Sequence, residues 1–327
     1  MAKPALYDLT WECWQKRSWT AGYLLRKWGI RYYGSAWNGL VPYWDECRLA
    51  RQIQAQREDC VHFMWGEFAA PRHPAWFNRR GAVLVGTFRG CARRQPRVLG
   101  KYRGLQAFDR ISVMSKTQLP FFAEQGFPAD RMDVTLHGVD TDFFSPAVGQ
   151  RRLAPGVLRL LMVGSTERDH EFAAAVMKAM ADEPLVLDVL TSPVNQAVYA
   201  GLEHVRMLGN LSDEALRTAY QEHDLLFMPM LDCIANNAVL ESMSCGTPVM
   251  INRVGGVPEY IAEACNFVMP DKQLDQWVDA LRDLIVNRDH LSALQPATRS
   301  WAEGFSWPRV AEQFIAFYGR AFRTSRI

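Results

Sequence analysis

The chain has 327 residues, of which 49% are hydrophobic, and its formal net charge at pH 7 is +2. This length favours two domains of about 150 residues each, and the apolar content excludes a disordered chain. The sequence contains no run of 18 or more apolar residues that could span a membrane, and its first residues do not resemble a signal peptide. The seven cysteines are scattered without a C-x-x-C pair, which predicts reduced thiols in a cytoplasmic protein.

The small net charge hides an uneven distribution. Residues 1–120 contain 20 of the 37 Lys and Arg residues but only 8 of the 35 Asp and Glu residues, so they carry +12 and the remainder carries −10. Eight of the 11 Trp residues lie within residues 1–80. This part could bind an anionic membrane surface or an anionic acceptor, or it could be a solvated basic face over core aromatics. Nucleic acid is disfavoured, because no known binding motif accompanies the charge.

Alternating apolar and helical patterns predict an α/β protein with two successive halves. In the first half the predicted helices include Ser18–Trp28 and Trp44–Gln56, and the predicted strands are Ala5–Leu9, Val61–Trp65, Ala82–Phe88, Arg110–Met114 and Met132–Leu136. After a linker within residues 144–155, the predicted strands are Val157–Val163, Leu185–Leu190 and Val205–Leu208. The predicted helices are Glu171–Ala181, Asp213–Glu222 with Ser212 as N-cap, and an amphipathic terminal helix within residues 305–318.

The segment 224–262 predicts a further strand–helix–strand unit. An apolar strand, Asp224–Met230, precedes a polar turn, a helix at Asn237–Cys245, a C-cap at Gly246 and a second strand, Pro248–Asn252. The helix N-terminus therefore lies at the carboxyl end of a strand, where doubly wound folds bind ligands.

Polar residues at this helix N-terminus indicate the ligand. Asn236, Asn237 and the backbone amide of Ala238 can bind an anion, and Glu241 lies one turn further along the helix, where it can accept hydrogen bonds from hydroxyl groups. The pattern predicts a site for a nucleoside diphosphate and its ribose.

Four segments resemble a known family in their order and spacing. They are Asp109–Ser115 (DRISVMS), His137–Pro146 (HGVDTDFFSP), Leu161–His170 (LMVGSTERDH) and Asn236–Ile261, which contains GGVPE. The chain is similar here to the retaining glycosyltransferases of family 4, and the terminal Phe-Ser-Trp-Pro-Arg segment fits the same family. The resemblance covers residues 105–320, whereas residues 1–60 match poorly.

The resemblance implies the GT-B fold, with two Rossmann-like, doubly wound domains facing a cleft. Residues 1–147 would bind the acceptor, residues 148–304 would bind the nucleotide sugar, and residues 305–327 would form a helix that crosses back to the first domain. The implied reaction moves a sugar from a nucleotide diphosphate donor to a hydroxyl of a glycan, polysaccharide precursor or lipid-linked acceptor, with retention at the anomeric carbon. The expected location is the cytoplasm or, peripherally, the inner membrane surface.

The resemblance also implies roles for residues of the donor domain. Arg168 is the expected catalytic cation on the diphosphate, together with the helix N-terminus at Asn236, Asn237 and Ala238. Glu241 matches the family's ribose-binding glutamate. No metal or other cofactor is expected, because helix dipoles and cationic side chains stabilise the leaving diphosphate.

Other positions depart from the family pattern or are less specific. The family's sugar-binding glutamate falls on Cys233, for which the adjacent Asp232 is the expected substitute. Gly209 and Leu211 occupy the segment that lines the base pocket.

In the first domain Arg89 stands where many relatives have an active-site histidine, and His62 is the other candidate catalytic residue. Asp140 and Asp142 spell a D-x-D sequence, which binds a metal in another glycosyltransferase fold, but their place in the interdomain run predicts a structural role. Two alternatives stay open: a nucleotide-sugar epimerase with the GT-B fold, and a non-catalytic relative that binds nucleotide sugar.

Overall fold

The structure, a computed structural model, describes residues 60–68, 82–99, 104–148 and 156–324. The predicted elements Ala5–Leu9, Ser18–Trp28 and Trp44–Gln56 lie outside these residues. The chain divides into two compact units, one of residues up to Thr135 and from Phe314 onward, the other of Leu136–Gln313. Within the described ranges, no helix combines the length and apolar character needed to cross a bilayer.

The first unit contains a four-stranded parallel sheet in the order β1-β2-β3-β4. Its elements are β1 (Cys60–Phe63), β2 (Val83–Phe88), α1 (Gln95–Leu99), β3 (Arg110–Val113), α2 (Leu119–Glu124) and β4 (Met132–Val134), with 3-10 turns at Gly66–Phe68, Leu105–Ala107, Lys116–Gln118 and Ala129–Arg131. All four predicted strands in these residues are confirmed, with ends that differ by one or two residues.

Strand β2 is buried on both faces because side chains pack against each face of the sheet at this strand. Leu84 and Phe88 face a core that includes Phe108 and Phe122, whereas Val83 and Val85 pack against Phe317 and Ala321 of the C-terminal helix. The predicted return of the C-terminal helix onto the first sheet is therefore observed.

The second unit contains a six-stranded parallel sheet in the order β10-β9-β8-β5-β6-β7. The elements are β5 (Leu158–Val163), α3 (His170–Ala179), β6 (Leu185–Leu190), β7 (Val205–Met207), α4 (Asp213–Glu222), β8 (Leu225–Met228), α5 (Asn237–Ser244), β9 (Val249–Asn252), α6 (Val257–Tyr260), β10 (Phe267–Met269), α7 (Leu274–Val286), α8 (Arg288–Glu303) and α9 (Trp307–Thr324), the last extending into the first unit, with a 3-10 turn at Pro193–Tyr199.

The strand order of the second sheet confirms the doubly wound prediction. The chain starts at β5, builds outward through β6 and β7, and then returns to β8 on the other side of β5. This reversal is a switch point, and ligands of such sheets bind beyond the carboxyl ends of the strands that flank it. We therefore expect a ligand to bind at the loops that follow β5 and β8.

Local signals explain where the helices of this unit begin and end. The Ser212 side chain accepts a hydrogen bond from the Ala215 amide at 3.2 Å, which confirms it as the N-cap of α4. After α5 the chain turns at Gly246, whose φ of 78° lies in the left-handed region that favours glycine. Elements α6, β10, α7 and α8 were not predicted from the sequence.

The interdomain run at residues 137–146 is a fixed part of the second unit. The Asp140 carboxylate accepts hydrogen bonds from the amides of Asp142 and Phe143, so it closes a turn of its own backbone. Arg299 donates to the carbonyl oxygens of Phe144 and Ser244 at 2.9 and 2.8 Å, which ties the run to α5. Among the residues that the structure describes, no group of three His, Cys, Asp or Glu side chains could hold a metal ion.

A buried charged cluster connects β6, β7 and the end of α4. Asp188 is 4% exposed and accepts from His223 Nε2 at 2.9 Å and from Arg206 Nε at 2.7 Å. Burial alone would raise the pKa of Asp188, but the hydrogen bonds from His223 and Arg206 lower it below the ordinary value. The ionised carboxylate therefore stabilises the edge of the second sheet.

Candidate donor site at the switch point

The loops after β5 and β8 are joined to each other at the switch point. The Asp169 amide donates to Pro229 O at 2.8 Å, and the Leu231 amide donates to Glu167 O at 2.9 Å. The loop after β5 turns sharply, with Gly164 at φ 109° and Glu167 at φ 60°. These bonds fix the position of the residue between them, Arg168.

Arg168 lies against the N-terminus of α5. Its guanidinium donates from Nε to Val163 O at 3.0 Å, from Nη1 to Thr166 O at 2.8 Å and from Nη2 to Asn236 Oδ1 at 3.1 Å. A Cβ atom at Gly164 would lie 2.6 Å from the Arg168 guanidinium carbon, so this packing requires glycine there. The structure thus brings together two of the predicted diphosphate-binding residues, Arg168 and Asn236.

The N-terminus of α5 offers backbone donors next to this cation. The first bond within the helix runs from the Leu240 amide to Asn236 O, so the preceding amides point out of the helix end. Asn236 and Ala238 are buried, whereas Asn237 is exposed and its Oδ1 lies 2.8 Å from His137 Nε2. The sequence pattern indicates only that His137 lies in the interdomain run, because a contact between residues 100 positions apart leaves no local signal.

Glu241 lies one turn further into α5 and is fixed by Tyr220. The Tyr220 hydroxyl donates to Glu241 Oε2 at 2.8 Å. Burial raises the pKa of Glu241, and the hydrogen bond from Tyr220 and the charge of Arg168 oppose that rise. The charge of Arg168 acts on Glu241 more weakly than burial, the Tyr220 hydrogen bond and the carboxylate of Asp213 do.

The positions predicted to bind the donor sugar are buried. Asp232 is 6% exposed, and its Oδ1 accepts from the Cys233 amide at 2.8 Å. Cys233 is 5% exposed and packs in the hydrophobic core, and its carbonyl oxygen accepts from the Gly256 amide at 2.7 Å. The Cys233 thiol is therefore turned into the core rather than to solvent.

The predicted base-pocket segment lies to one side of the cation. Gly209 is exposed and Leu211 half-buried in the loop after β7. Strand β7 is the second neighbour of β5, so the loop lies about 10 Å from the β5 end at the usual strand spacing. Among the described residues, no atom beyond its chain neighbours lies within 4 Å of a Cβ built on Gly209.

The two candidates in the first unit have different environments. His62 bonds Tyr318 Oη at 2.6 Å through Nδ1 and Thr87 Oγ1 at 2.8 Å through Nε2. Burial, aided by the charge of Arg89, lowers the pKa of His62 to about 4, so the ring is neutral at pH 7. Arg89 follows β2, and its guanidinium lies 4.8 Å from the centre of the Trp65 ring.

Comparison with known proteins agrees with this architecture. Residues 141–287 match the model of the family described as glycosyl transferases group 1. The chain is 27% identical over 256 residues to the D-inositol 3-phosphate glycosyltransferase of Mycobacteroides abscessus, covering 70% of this chain and 56% of that protein. The chain thus spans little more than half the length of this curated relative.

Two solved structures share the fold. A glycosyltransferase from Rickettsia africae aligns with a TM-score of 0.69 at 16% identity, covering 87% of this chain and 82% of that one. Anabaena HepE in complex with UDP and glucose aligns with a TM-score of 0.66 at 13% identity, covering 84% and 80%. With its two parallel sheets, the chain has the GT-B fold, and its residues 141–287 are similar to the family of glycosyl transferases group 1.

Proposed function

We propose that the protein is a retaining glycosyltransferase that transfers a sugar from a nucleotide diphosphate donor to a hydroxyl acceptor without a metal ion. The observation that carries this proposal is the Arg168 guanidinium, held against the N-terminus of α5 at the switch point, with Glu241 one turn deeper. Departure of the nucleoside diphosphate adds negative charge to its terminal phosphate. A fixed guanidinium and helix amides favour that charge without having to reorganise.

The relatives support the nature of the substrates. The HepE structure contains UDP and glucose, and the mycobacterial relative is named for transfer to an inositol phosphate. We infer a nucleoside diphosphate donor bound at Arg168, Asn236, Asn237, Ala238 and Glu241, and a hydroxylated acceptor, glycan or lipid-linked. Retention is carried over from the family resemblance, and the +12 charge of residues 1–120 favours an acceptor that bears negative charge.

Thermal denaturation with a panel of UDP, GDP, ADP and their sugar conjugates tests the donor site. One nucleotide series should raise the melting temperature of the wild type, by an amount that grows with ligand concentration. Arg168→Ala and Glu241→Ala should each reduce the shift, whereas Arg282→Ala, a half-exposed arginine on α7, should keep it. An equal shift of the melting temperature in all four proteins would contradict the assignment of Arg168 and Glu241 to the nucleotide site.

Product analysis separates the three candidate activities. A glycosyltransferase releases free nucleotide only as the sugar reaches an acceptor or water, an epimerase returns an altered nucleotide sugar, and a non-catalytic relative leaves the donor unchanged. Transfer should persist in excess EDTA. Loss of activity on chelation, with recovery on adding Mn²⁺, would contradict metal independence and would assign ligand roles to Asp140 and Asp142.

A further inference from the structure

A buried histidine lies behind the loop that carries Arg168. His170, the first residue of α3, is 6% exposed, and its Nε2 lies 3.2 Å from Gly164 O. Its Nδ1 lies 2.9 Å from the hydroxyl of Tyr199, the last residue of the 3-10 turn after β6. The imidazole ring therefore joins the loop after β5 to the turn after β6.

The partners of this ring define its protonation state. A carbonyl oxygen can only accept a hydrogen bond, so the contact with Gly164 O requires a hydrogen on Nε2. Burial lowers the pKa of His170, so the ring is neutral at pH 7 and its Nδ1 accepts from the Tyr199 hydroxyl. The ring thus donates at one end and accepts at the other.

Gly164 is the residue whose conformation the histidine fixes. Its φ of 109° lies in the left-handed region, and a glycine has more backbone freedom than any other residue. The peptide group before it is held because the Gly164 amide donates to Leu190 O at 2.8 Å, and the peptide group after it is held by His170. Arg168 Nε donates to Val163 O, which belongs to the first of these two peptide groups. Rotation of the second group about Gly164 would therefore move the chain that leads to Arg168 away from this acceptor.

A hydroxyl cluster reinforces the same connection. Thr191 Oγ1, directly after β6, lies 3.2 Å from His170 Nε2 and 3.1 Å from Ser165 Oγ. Asn195 Nδ2 donates to Thr191 Oγ1 at 3.0 Å and to Ser165 O at 3.3 Å. The turn after β6 thus supports the loop after β5 at two points, through His170 and through Asn195.

We propose that His170 is a positioning residue for Arg168, because its hydrogen bond to Gly164 O selects the glycine conformation in which the guanidinium meets the N-terminus of α5. The proposal rests on the proposed function, in which Arg168 binds the leaving diphosphate. His170 acts through the backbone and does not contact the donor. A histidine that only fills space in the core would stabilise the unit without affecting Arg168, so the two roles predict different results.

Hydrogen exchange measured by NMR on the full chain observes Arg168 directly. A hydrogen-bonded group exchanges its proton with water slowly while the surrounding structure stays closed, and the Nε proton of Arg168 is bonded to Val163 O. Its signal is identified by its absence from Arg168→Ala. In His170→Leu the exchange rate of this proton should rise about fivefold to tenfold, the equivalent of one hydrogen bond.

Two conservative variants separate the two ends of the ring. His170→Gln places an amide nitrogen near the position of Nε2, where it can donate to Gly164 O, whereas the shorter side chain of His170→Asn places its amide near Nδ1. We therefore expect slow exchange of the Arg168 proton to return in His170→Gln and not in His170→Asn. Rescue by the variant that restores one particular hydrogen bond is not expected of a residue that only fills space.

His204→Leu is the matched control. His204 is half-buried, and its Nε2 bonds Met177 O at the other end of α3, at 2.9 Å. The substitution removes a comparable contact between a histidine and a backbone carbonyl oxygen, and it should leave the Arg168 proton unchanged.

Calorimetric titration with inorganic pyrophosphate reports on the donor site separately. His170→Leu should bind pyrophosphate about tenfold more weakly than the wild type, and Arg168→Ala should bind it at least as weakly as His170→Leu does. Equal pyrophosphate affinity in the wild type and in Arg168→Ala would contradict the proposed function. An unchanged exchange rate of the Arg168 proton in His170→Leu would overturn the positioning role of His170 alone. If His170→Leu does not fold, equal exchange rates in His170→Gln and His170→Asn would overturn that role.

Discussion

Replacing Tyr220 with Phe removes one hydroxyl from a fully buried ring, and with it the hydrogen bond to Glu241, so it tests what that bond contributes. Hydrogen bonds to charged groups contribute about 1.5–3 kcal/mol, and the lower end applies because the lost hydroxyl no longer has to be desolvated. For a unit the size of Leu136–Gln313, a loss of about 1.5 kcal/mol lowers the melting temperature by about 3–6 °C.

The same change should weaken nucleotide binding in a pH-dependent way. The Tyr220 hydroxyl opposes the rise that burial causes in the pKa of Glu241, so the pKa rises further in the variant. A larger fraction of Glu241 is then protonated at pH 6 than at pH 8, and the affinity for the nucleotide should fall towards lower pH. Calorimetric titration at the two pH values measures this difference.

A double-mutant cycle with Glu241→Leu isolates the hydrogen bond. Without the carboxylate, Tyr220→Phe should cost little or even stabilise the unit, because no acceptor is left for the hydroxyl. If Tyr220→Phe lowers the free energy of unfolding equally in both backgrounds, the bond to Glu241 is not the source of the effect and the reasoning fails.

Three further predictions concern charge. Asp188→Asn should lower the free energy of unfolding by about 3 kcal/mol, because it leaves His223 without its charged partner, and denaturant titration measures this loss. Since the pKa of Asp188 lies below its ordinary value, the stabilisation by the wild-type carboxylate is complete above about pH 4 and is lost as the pH falls below it. Because the pKa of His62 is about 4 in the folded state and 6.5 ordinarily, the stability of the first unit should decrease as the pH falls from 6.5 to 4, and His62→Gln should flatten that slope in thermal denaturation. If the basic part binds membranes, replacing Arg93 and Arg94 with Ala should reduce binding to anionic vesicles about thirtyfold at low salt, at about 1 kcal/mol per residue, while equal binding to neutral vesicles would contradict an electrostatic attachment.

The sequence predicts the second unit well where the pattern is local. Strand Leu185–Leu190 and helix Asp213–Glu222 are observed with the predicted ends, because an apolar run and an N-cap serine mark them directly. Strand β10 was not predicted, although β4 and β7, which also have three residues, were. Helix α8 contains Pro296, a residue that ordinarily argues against a continuous helix.

The site could be predicted in its composition but not in its contacts. The family resemblance identifies Arg168, Asn236 and Glu241, yet the bond between Arg168 and Asn236 depends on the left-handed turn at Gly164, which sequence patterns do not specify. The Tyr220 partner of Glu241 comes from α4, and only the packing of α4 on α5 brings the two side chains together. Burial of Cys233 is likewise a tertiary property.

The side chain of Gln118 has a consequence for how this protein can change by mutation. Its Oε1 accepts from the amides of Met114 and Ser115, while its Nε2 donates to two carbonyl oxygens after β2. A glutamate has nearly the same shape but would turn a second oxygen towards those carbonyls. A single base change turns a Gln codon into a Glu codon, and chemical deamidation of the finished protein changes the side chain in the same way. Either change would break the hydrogen bonds that join the loops after β2 and β3. Gln and Glu have nearly the same shape, yet at this position only Gln can both accept from the two amides and donate to the two carbonyl oxygens.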